Sequence, residues 1–489
     1  MRRTLGEFAH ACGGRLEGAD RPYTGVCTDS RTLASGELFV ALRGERFNGH
    51  EFLSAAQAAG AAGAVVDPAG ALVHAPPISF PRVVVPDTLL ALQHAASAWR
   101  AALQASVLGV AGSNGKTTVK EMLAAILGVV GSCLATRGNL NNHIGVPLTL
   151  LRLGAQHRFA VVEMGADRAG EVEALVRIAR PTVGLITNAG AEHLEGFGSL
   201  DGVARAEGEM VAGLAPDATA VINADDAYAP LWRSMTRAHV VSFGLDMGAD
   251  FTAADLHAGL TEEGFLTRFR LRCPLGEVPI ELRLAGRHNV LNALCAAAAA
   301  AAAGAGLDAI RGGLAAMQPV QGRLQCKRAA AGALIIDDSY NANPSSVKAG
   351  IEVLEQAEGR RWLVFADMAE LGAYAEDSHR EIGAFARAHG IERLFATGTL
   401  AARAAESFGP GAEWHSDVAA LTTAVQSAVA GAGAGAAVRM LVKGSRFNRL
   451  ERLVAALCQP ADPAGLAVAS PAAPGPGGTS APGTPGTGK

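Results

Sequence analysis

Between residues 112 and 117 the chain reads Gly-Ser-Asn-Gly-Lys-Thr. These residue types at this spacing are the groups that hold a polyphosphate. Glycines let successive backbone N–H groups turn toward phosphate oxygens, and a following helix adds the partial positive charge of its N-terminus. Lys116 is placed to reach the β- and γ-phosphates, and the Thr117 hydroxyl to hold Mg2+. Gly112, Ser113, Asn114, Gly115, Lys116, Thr117 and Thr118 are therefore the first candidate ATP-binding residues. The spacing departs from G-x-x-x-x-G-K-[ST], because position 110 is Val and Gly109 falls one residue too early. A glycine-rich turn with a surface lysine is the plain alternative. The strand-like run at 107–110 and the amphipathic run at 118–130 argue against it.

Acidic and histidine groups narrow the chemistry. In VVEMGAD, Glu163 ends an apolar run, and in TNAGAEHLEGFGS, His193 follows the next one. Ligands of doubly wound sheets gather at the carboxyl ends of strands, so both residues are candidate Mg2+ ligands beside the phosphates. A solvated strand end and a satisfied loop histidine are the plain alternatives. AGRHNVLNALCA puts His288 and Asn289 at a helix start, where Asn289 could cap the helix or match the edge of adenine. Arg323 in PVQGRLQ and Asp338 in IDDSYNANP belong to a later part of the chain. They would clamp a nucleotide from the far side, or either could form an interdomain ion pair. Completing the site with them requires that later part to swing onto the loop.

These side chains need elements to position them. From about 106 the sequence alternates strand signals (SVLGV, FAVVEMG, TVGLITN, ATAVINA) with helical stretches, the signature of a parallel sheet with crossover helices. Alternating runs between 249 and 286 predict antiparallel hairpins, and a second strand–helix series begins near 321. We expect an α/β protein of three domains: a small mixed α/β unit at 1–105, a central phosphate-loop sheet with an antiparallel extension at 106–320, and a dinucleotide-fold-like unit at 321–457. Residues 458–489, rich in Pro, Gly, Ala and Thr, are expected to be a disordered tail. With 489 residues, 49% hydrophobic and 18% charged, the chain is a globular protein of several cores. A net charge of −4 argues against a nucleic-acid partner. There is no 18-residue apolar run for membrane insertion, and the alanines at 296–303 read as core. The seven cysteines are scattered singly, which predicts buried thiols in a reducing cytoplasm and neither disulfides nor a zinc site.

Taken together, TDSRTLASGELFVALRGERFNGHEF, GSNGKTTVKEML, GNLNNHIGVPLTLL, VVEMGAD, AEHLEGFGSL, AGRHNVLNAL, DDSYNANP, DMAELG and LVKGSR resemble the ATP-dependent Mur ligases over residues 5 to 457. Within that family they are most similar to the branch that adds a D-alanyl-D-alanine dipeptide. The resemblance implies three domains, binding a UDP-sugar, ATP and the dipeptide, in a cytoplasmic enzyme expected to be a monomer. Its substrates would be UDP-MurNAc-tripeptide and D-Ala-D-Ala, joined through an acyl phosphate. It assigns Lys116 and Thr117 to the β/γ-phosphates and first Mg2+, Glu163 and His193 to Mg2+, Asn289 to adenine, and Arg323 and Asp338 to the nucleotide. Asp29, Ser30 and Arg31 resemble the segment that receives the uridine end, and Asn139 and Asn142 a stretch facing the muramoyl part. Lys443, Ser445 and Arg446 would hold the dipeptide or close the domain, or serve only as a cap and charge at a helix start.

One position departs from the family. Related ligases carry, in the helix after HLEGFGSL, a lysine whose carbamate helps hold Mg2+. Here the stretch reads GVARAEGEM, with Glu207 at that position. Glu207 is therefore the fourth candidate metal ligand, against the alternatives of a surface glutamate or of Glu209 in its place. Three rival functions remain at this level. A small-molecule kinase would use the same loop, an ATP-gated binding protein would need no Glu163, and the ligase adding the third residue would carry a D-N-P-R segment that is absent.

Overall fold

The computed structural model describes residues 3–44, 47–73, 80–246, 248–261, 264–330, 332–433 and 437–459. At its centre six parallel strands lie in the order His239–Phe243, Thr219–Asn223, Val183–Ile186, Ser106–Ala111, Phe159–Glu163, Cys133–Ala135. Short runs of Val, Ile, Leu and Ala form these strands because both faces of the sheet are covered, so that Val107, Leu108, Val110, Val161, Val162 and Leu185 are all fully buried. Glu163 pairs in register with Val110, and Ile186 with Ala111. Three strand ends therefore emerge level, and strand Ser106–Ala111 has later strands added on both of its sides. That is the switch point at which open sheets bind ligands.

The helix Lys116–Val130 starts directly from this point. Its buried face is Val119, Met122, Leu123, Ile126 and Leu127, the i, i+3, i+4 stripe of an amphipathic helix. It shares one apolar cluster with the helix Arg287–Ala302, whose Ala296–Ala300 are fully buried. The alanine run is thus core, and among the described residues no helix is long and apolar enough to cross a membrane.

Strands Thr252–Thr261, Gly264–Cys273 and Gly276–Leu282 form the antiparallel extension. Beyond it a second six-stranded sheet runs Gln325–Arg328, Leu334–Asp338, Val438–Lys443, Arg360–Ala366, Arg393–Thr397, Ala412–His415, with only the first pair antiparallel. The N-terminal sheet has five short strands, four of them parallel. This is the three-domain α/β class expected from the sequence. The cysteine reading needs correction: all seven are free, as expected, but only Cys295 is fully buried and the rest are partly exposed. The tail expected from 458 lies outside the described residues from 460 onward, while Cys458 itself closes the last helix, Glu451–Cys458.

Candidate functional site

The phosphate loop spans Gly112 to Gly115, and the helix begins two residues earlier than the sequence suggested, at Lys116. Two of its glycines are required by geometry. Gly112 has φ +117, and a Cβ there would stand 2.2 Å from Thr187 Oγ1. Gly115 has φ +88, and a Cβ would stand 2.3 Å from Asn292 Oδ1. Left-handed backbone at these sites suits glycine alone. Lys116 Nζ donates to the carbonyls of Gly112 and Ser113 and lies 3.2 Å from Glu192 Oε1. Burial opposes its charge, yet Glu192, Glu207 and Glu163 together hold its pKa above the ordinary lysine value.

Glu163 stands at the end of its strand, 3% exposed. Its backbone N–H donates to Thr136 Oγ1, and its Oε1 accepts from Asn141 Nδ2 at 3.0 Å and from the Thr117 hydroxyl at 3.3 Å. Its Oε2 is buried with no hydrogen-bond partner. A buried, unpaired carboxylate oxygen beside a threonine hydroxyl is what a hard divalent cation needs, so Thr117 and Glu163 fit Mg2+.

The other two expected ligands are turned elsewhere. Among the described residues no three His, Cys, Asp or Glu side chains are gathered to hold a metal. His193 has left-handed backbone, φ 48, and its Nδ1 faces Glu370 and Asp167. Glu207 lies beneath the loop, 3% exposed, and its Oε2 accepts the Gly112 N–H at 2.6 Å. Burial pushes its pKa up to about 7, with Lys116 opposing and Glu192 adding to the rise. The surface-glutamate alternative is therefore excluded. Glu209 is occupied too, capping the helix Glu171–Ala179 through the N–H groups of Gly170 and Glu173. A loop-bound Mg2+ that relies on few protein carboxylates agrees with this cation's habit of taking the rest of its shell from phosphate and water.

The third unit reaches the loop directly. Arg323 donates to the Thr117 hydroxyl at 3.2 Å and lies over the Tyr340 ring. Asn343 donates to Asn114 Oδ1 at 2.8 Å, and Asn114 Nδ2 donates to Ser345 Oγ at 3.1 Å. Asn343 also caps the helix Pro344–Glu355. Asp338 accepts from the Leu324 N–H and from the Lys443 ammonium, which also donates to the Asn341 carbonyl. Burial raises the Asp338 pKa against the pull of Lys443 and Arg323. His288, its pKa lowered to about 4 by burial and by Lys443, borders the same cluster.

Several expectations change. Asn289 does not cap: its helix starts at Arg287 after Gly286, and the buried Asn289 amide donates to the Ala285 carbonyl and accepts from Asn292. Asn142 serves a turn, accepting from Ile144 and Gly145 N–H. Asn139 offers its backbone carbonyl to Asn141, and it is Asn141 that reaches Glu163. Asp29 and Arg31 pair with each other, which lowers the Asp29 pKa to about 2, and Ser30 lies between them. Ser445 donates to the Ala342 carbonyl and accepts from the Ala369 N–H, and the short turn that follows it has no side-chain cap. Arg446 stacks over Tyr340 and borders an open groove of about 420 Å3 with Phe447, Arg449, Glu451 and Arg452. Sequence reasoning missed Asn141, Asn188, Glu192, Asn343 and Glu370. The signal available for Asn188 was its place just past a strand end, and for Asn343 its place as a cap before Pro344; Asn141, Glu192 and Glu370 have no local signature.

Family descriptions match the chain in order: Mur ligase family, catalytic domain, over residues 22–100; Mur ligase middle domain, over 110–300; and Mur ligase, glutamate ligase domain, over 322–446. The UDP-N-acetylmuramoyl-tripeptide–D-alanyl-D-alanine ligase of Escherichia coli (strain K12) is 43% identical over 458 residues, spanning 93% of this chain and 98% of that protein. The ligase of the same name from Bacillus subtilis (strain 168) is 37% identical over 411 residues, spanning 83% and 87%. Among solved structures, crystal structure I of MurF from Acinetobacter baumannii superposes with a TM-score of 0.86 at 34% identity, covering 94% of this chain and 99% of that one. MurF from Thermotoga maritima in complex with ADP gives 0.76 at 25% identity, covering 89% and 97%. The chain belongs to the Mur ligase family.

Proposed function

We propose that this protein is an ATP-dependent ligase joining D-alanyl-D-alanine to UDP-N-acetylmuramoyl-tripeptide, giving the pentapeptide precursor of peptidoglycan, ADP and phosphate. The observation that carries the reading is 43% identity to a ligase of that name along nearly all of both chains. The geometry supports it, because the third unit puts Arg323 on the phosphate-loop Thr117. A carboxylate is a poor acyl donor. Its oxygen therefore bonds to the γ-phosphorus while the bridge to ADP breaks, and the resulting acyl phosphate is attacked by the dipeptide amine, which loses a proton as phosphate leaves. Most of the protein's task is alignment and charge neutralisation.

In this reading residues 1–105 receive the UDP-sugar with Asp29, Ser30 and Arg31, 106–320 hold ATP, and 321–457 bring the dipeptide. Lys116 serves the transferring phosphoryl group, and His288 and Asn289 line the nucleotide side. Bound Mg2+ would neutralise phosphate charge, and Thr117 and Glu163 are the residues that would hold it. Arg323 steadies Thr117 from the third unit, and Asp338 keeps Lys443 in place. Arg446 and its groove receive the dipeptide end, two cation–ring contacts away from the loop. The enzyme works in the cytoplasm, where ATP and nucleotide sugars are found, as a monomer.

The test is mass spectrometry of products from UDP-MurNAc-tripeptide, ATP and a panel of D- and L-dipeptides. Phosphate release only when both acceptors are present, with a D-Ala-D-Ala adduct, is the expected result. A phosphorylated product accumulating without dipeptide would mark a kinase instead.

A further inference from the structure

Residues 187–190 are sewn to the phosphate loop. The Thr187 hydroxyl and the Asn188 amide both donate to the Asn114 carbonyl, at 2.6 and 2.9 Å. In return the Asn114 N–H reaches Asn188 Oδ1 at 3.0 Å, the Ser113 N–H the Asn188 carbonyl at 2.9 Å, and the Gly190 N–H donates to Ser113 Oγ at 2.8 Å. This fixed segment delivers Glu192 to Lys116. Their side chains are 12% and 15% exposed, so the pair is largely shielded from solvent.

An ammonium has three N–H donors. Lys116 uses them on the Gly112 carbonyl, the Ser113 carbonyl and Glu192. All three partners belong to the loop or to the segment stitched against it. Lys116 is therefore folded back on its own loop, and it cannot donate to a phosphate without giving up one of these partners. The two carbonyls are fixed backbone, and Glu192 is the charged partner on a side chain that can move. Its carboxylate would also repel an arriving phosphate.

We propose that Glu192 is a positioning residue that parks Lys116 in the nucleotide-free protein and releases it only when a nucleotide arrives. The proposal rests on the ATP-binding reading given above. Parking offsets the cost of leaving a largely buried ammonium beside an empty loop, since an unpaired buried charge is strongly unfavourable. It also lowers apparent nucleotide affinity by the fraction of molecules in which the lysine is free. With Glu192 removed, Glu163 and Glu207 are the carboxylates that still act on the lysine charge.

Calorimetric titration of the full chain with ADP and with ATP, in EDTA and in Mg2+, tests this on wild type, Glu192→Gln and Glu192→Asp. If the free lysine is populated about one-tenth of the time, Glu192→Gln binds ADP in EDTA about tenfold more tightly than wild type. Glu192→Asp, one methylene shorter, falls between the two and serves if the Gln variant is poorly folded. A residue of merely structural role would weaken binding when replaced, so unchanged or weaker affinity in both variants, at unchanged melting temperature, overturns the proposal. Failure of the wild type to bind either nucleotide under any condition would instead overturn the ligase reading, and the parking with it.

Discussion

Lys116 is the residue on which the phosphate chemistry converges, since three glutamates lend it charge and the first helical turn fixes its Cα. Replacing it with alanine removes a charge-assisted contact to the transferring group. Lys116→Ala should lower steady-state turnover by about two orders of magnitude, ~3 kcal/mol of transition-state stabilisation; near-normal turnover would exclude it from the reaction. Glu207 makes a different prediction. Its folded pKa of about 7 lies above the ordinary 4.5, so its favourable contribution is complete below pH 4.5 and is lost as pH rises through 7. Glu207→Gln should therefore gain in melting temperature relative to wild type between pH 5 and 8, as differential scanning fluorimetry would reveal; parallel pH profiles would refute it. Because position 207 is a glutamate and not a lysine that could take up CO2, wild-type turnover in CO2-depleted buffer should not respond to bicarbonate, and stimulation would show that a carbamate forms elsewhere.

Strands and helices were largely legible in the sequence, because SVLGV, FAVVEMG, TVGLITN and ATAVINA are apolar runs that only a sheet covered on both faces can bury. Helix starts were less so. The amphipathic pattern after the loop begins at 118, but the two residues before it already take helical backbone, as they carry the N-terminal turn where no apolar signal is required. The same offset misplaced Asn289, which sits inside its helix rather than capping it. The loop itself was legible through its glycines, and Gly115 gives the sharpest test of the element. Gly115→Ala combines a left-handed backbone with a clash on Asn292, a strain of roughly 1–3 kcal/mol for the backbone alone. It should lower the melting temperature and abolish nucleotide binding; titration with ADP at wild-type affinity would show that the loop conformation is not needed.

At the scale of the molecule the least legible feature was which side chains meet across domain boundaries. Glu163 could be found at a strand end, but Asn343 and Glu370 reach Asn114 and His193 across the boundary between the second and third units through long-range packing that no local pattern encodes. The third unit engages the loop through Asn114, which bonds both Asn343 and Ser345. Asn114→Ala leaves the Asn343 helix cap intact while removing both links. It should enlarge the radius of gyration in small-angle scattering and raise the KM for dipeptide several-fold. An unchanged profile and KM would show that the domains are held by other contacts. The placing of the phosphate-loop helix has a consequence for motion. The helix Lys116–Val130 packs on the sheet beside the alanine helix, and Gly313 of the helix Leu307–Ala316 approaches it so closely that a Cβ there would stand 2.4 Å from Ile126 Cα. With no slack on either side, its amide protons should exchange with deuterated solvent only when the whole central domain opens, among the slowest in the chain. The loop it carries is then a rigid floor, and whatever moves during turnover must be the side chains above it and the domain that closes over them.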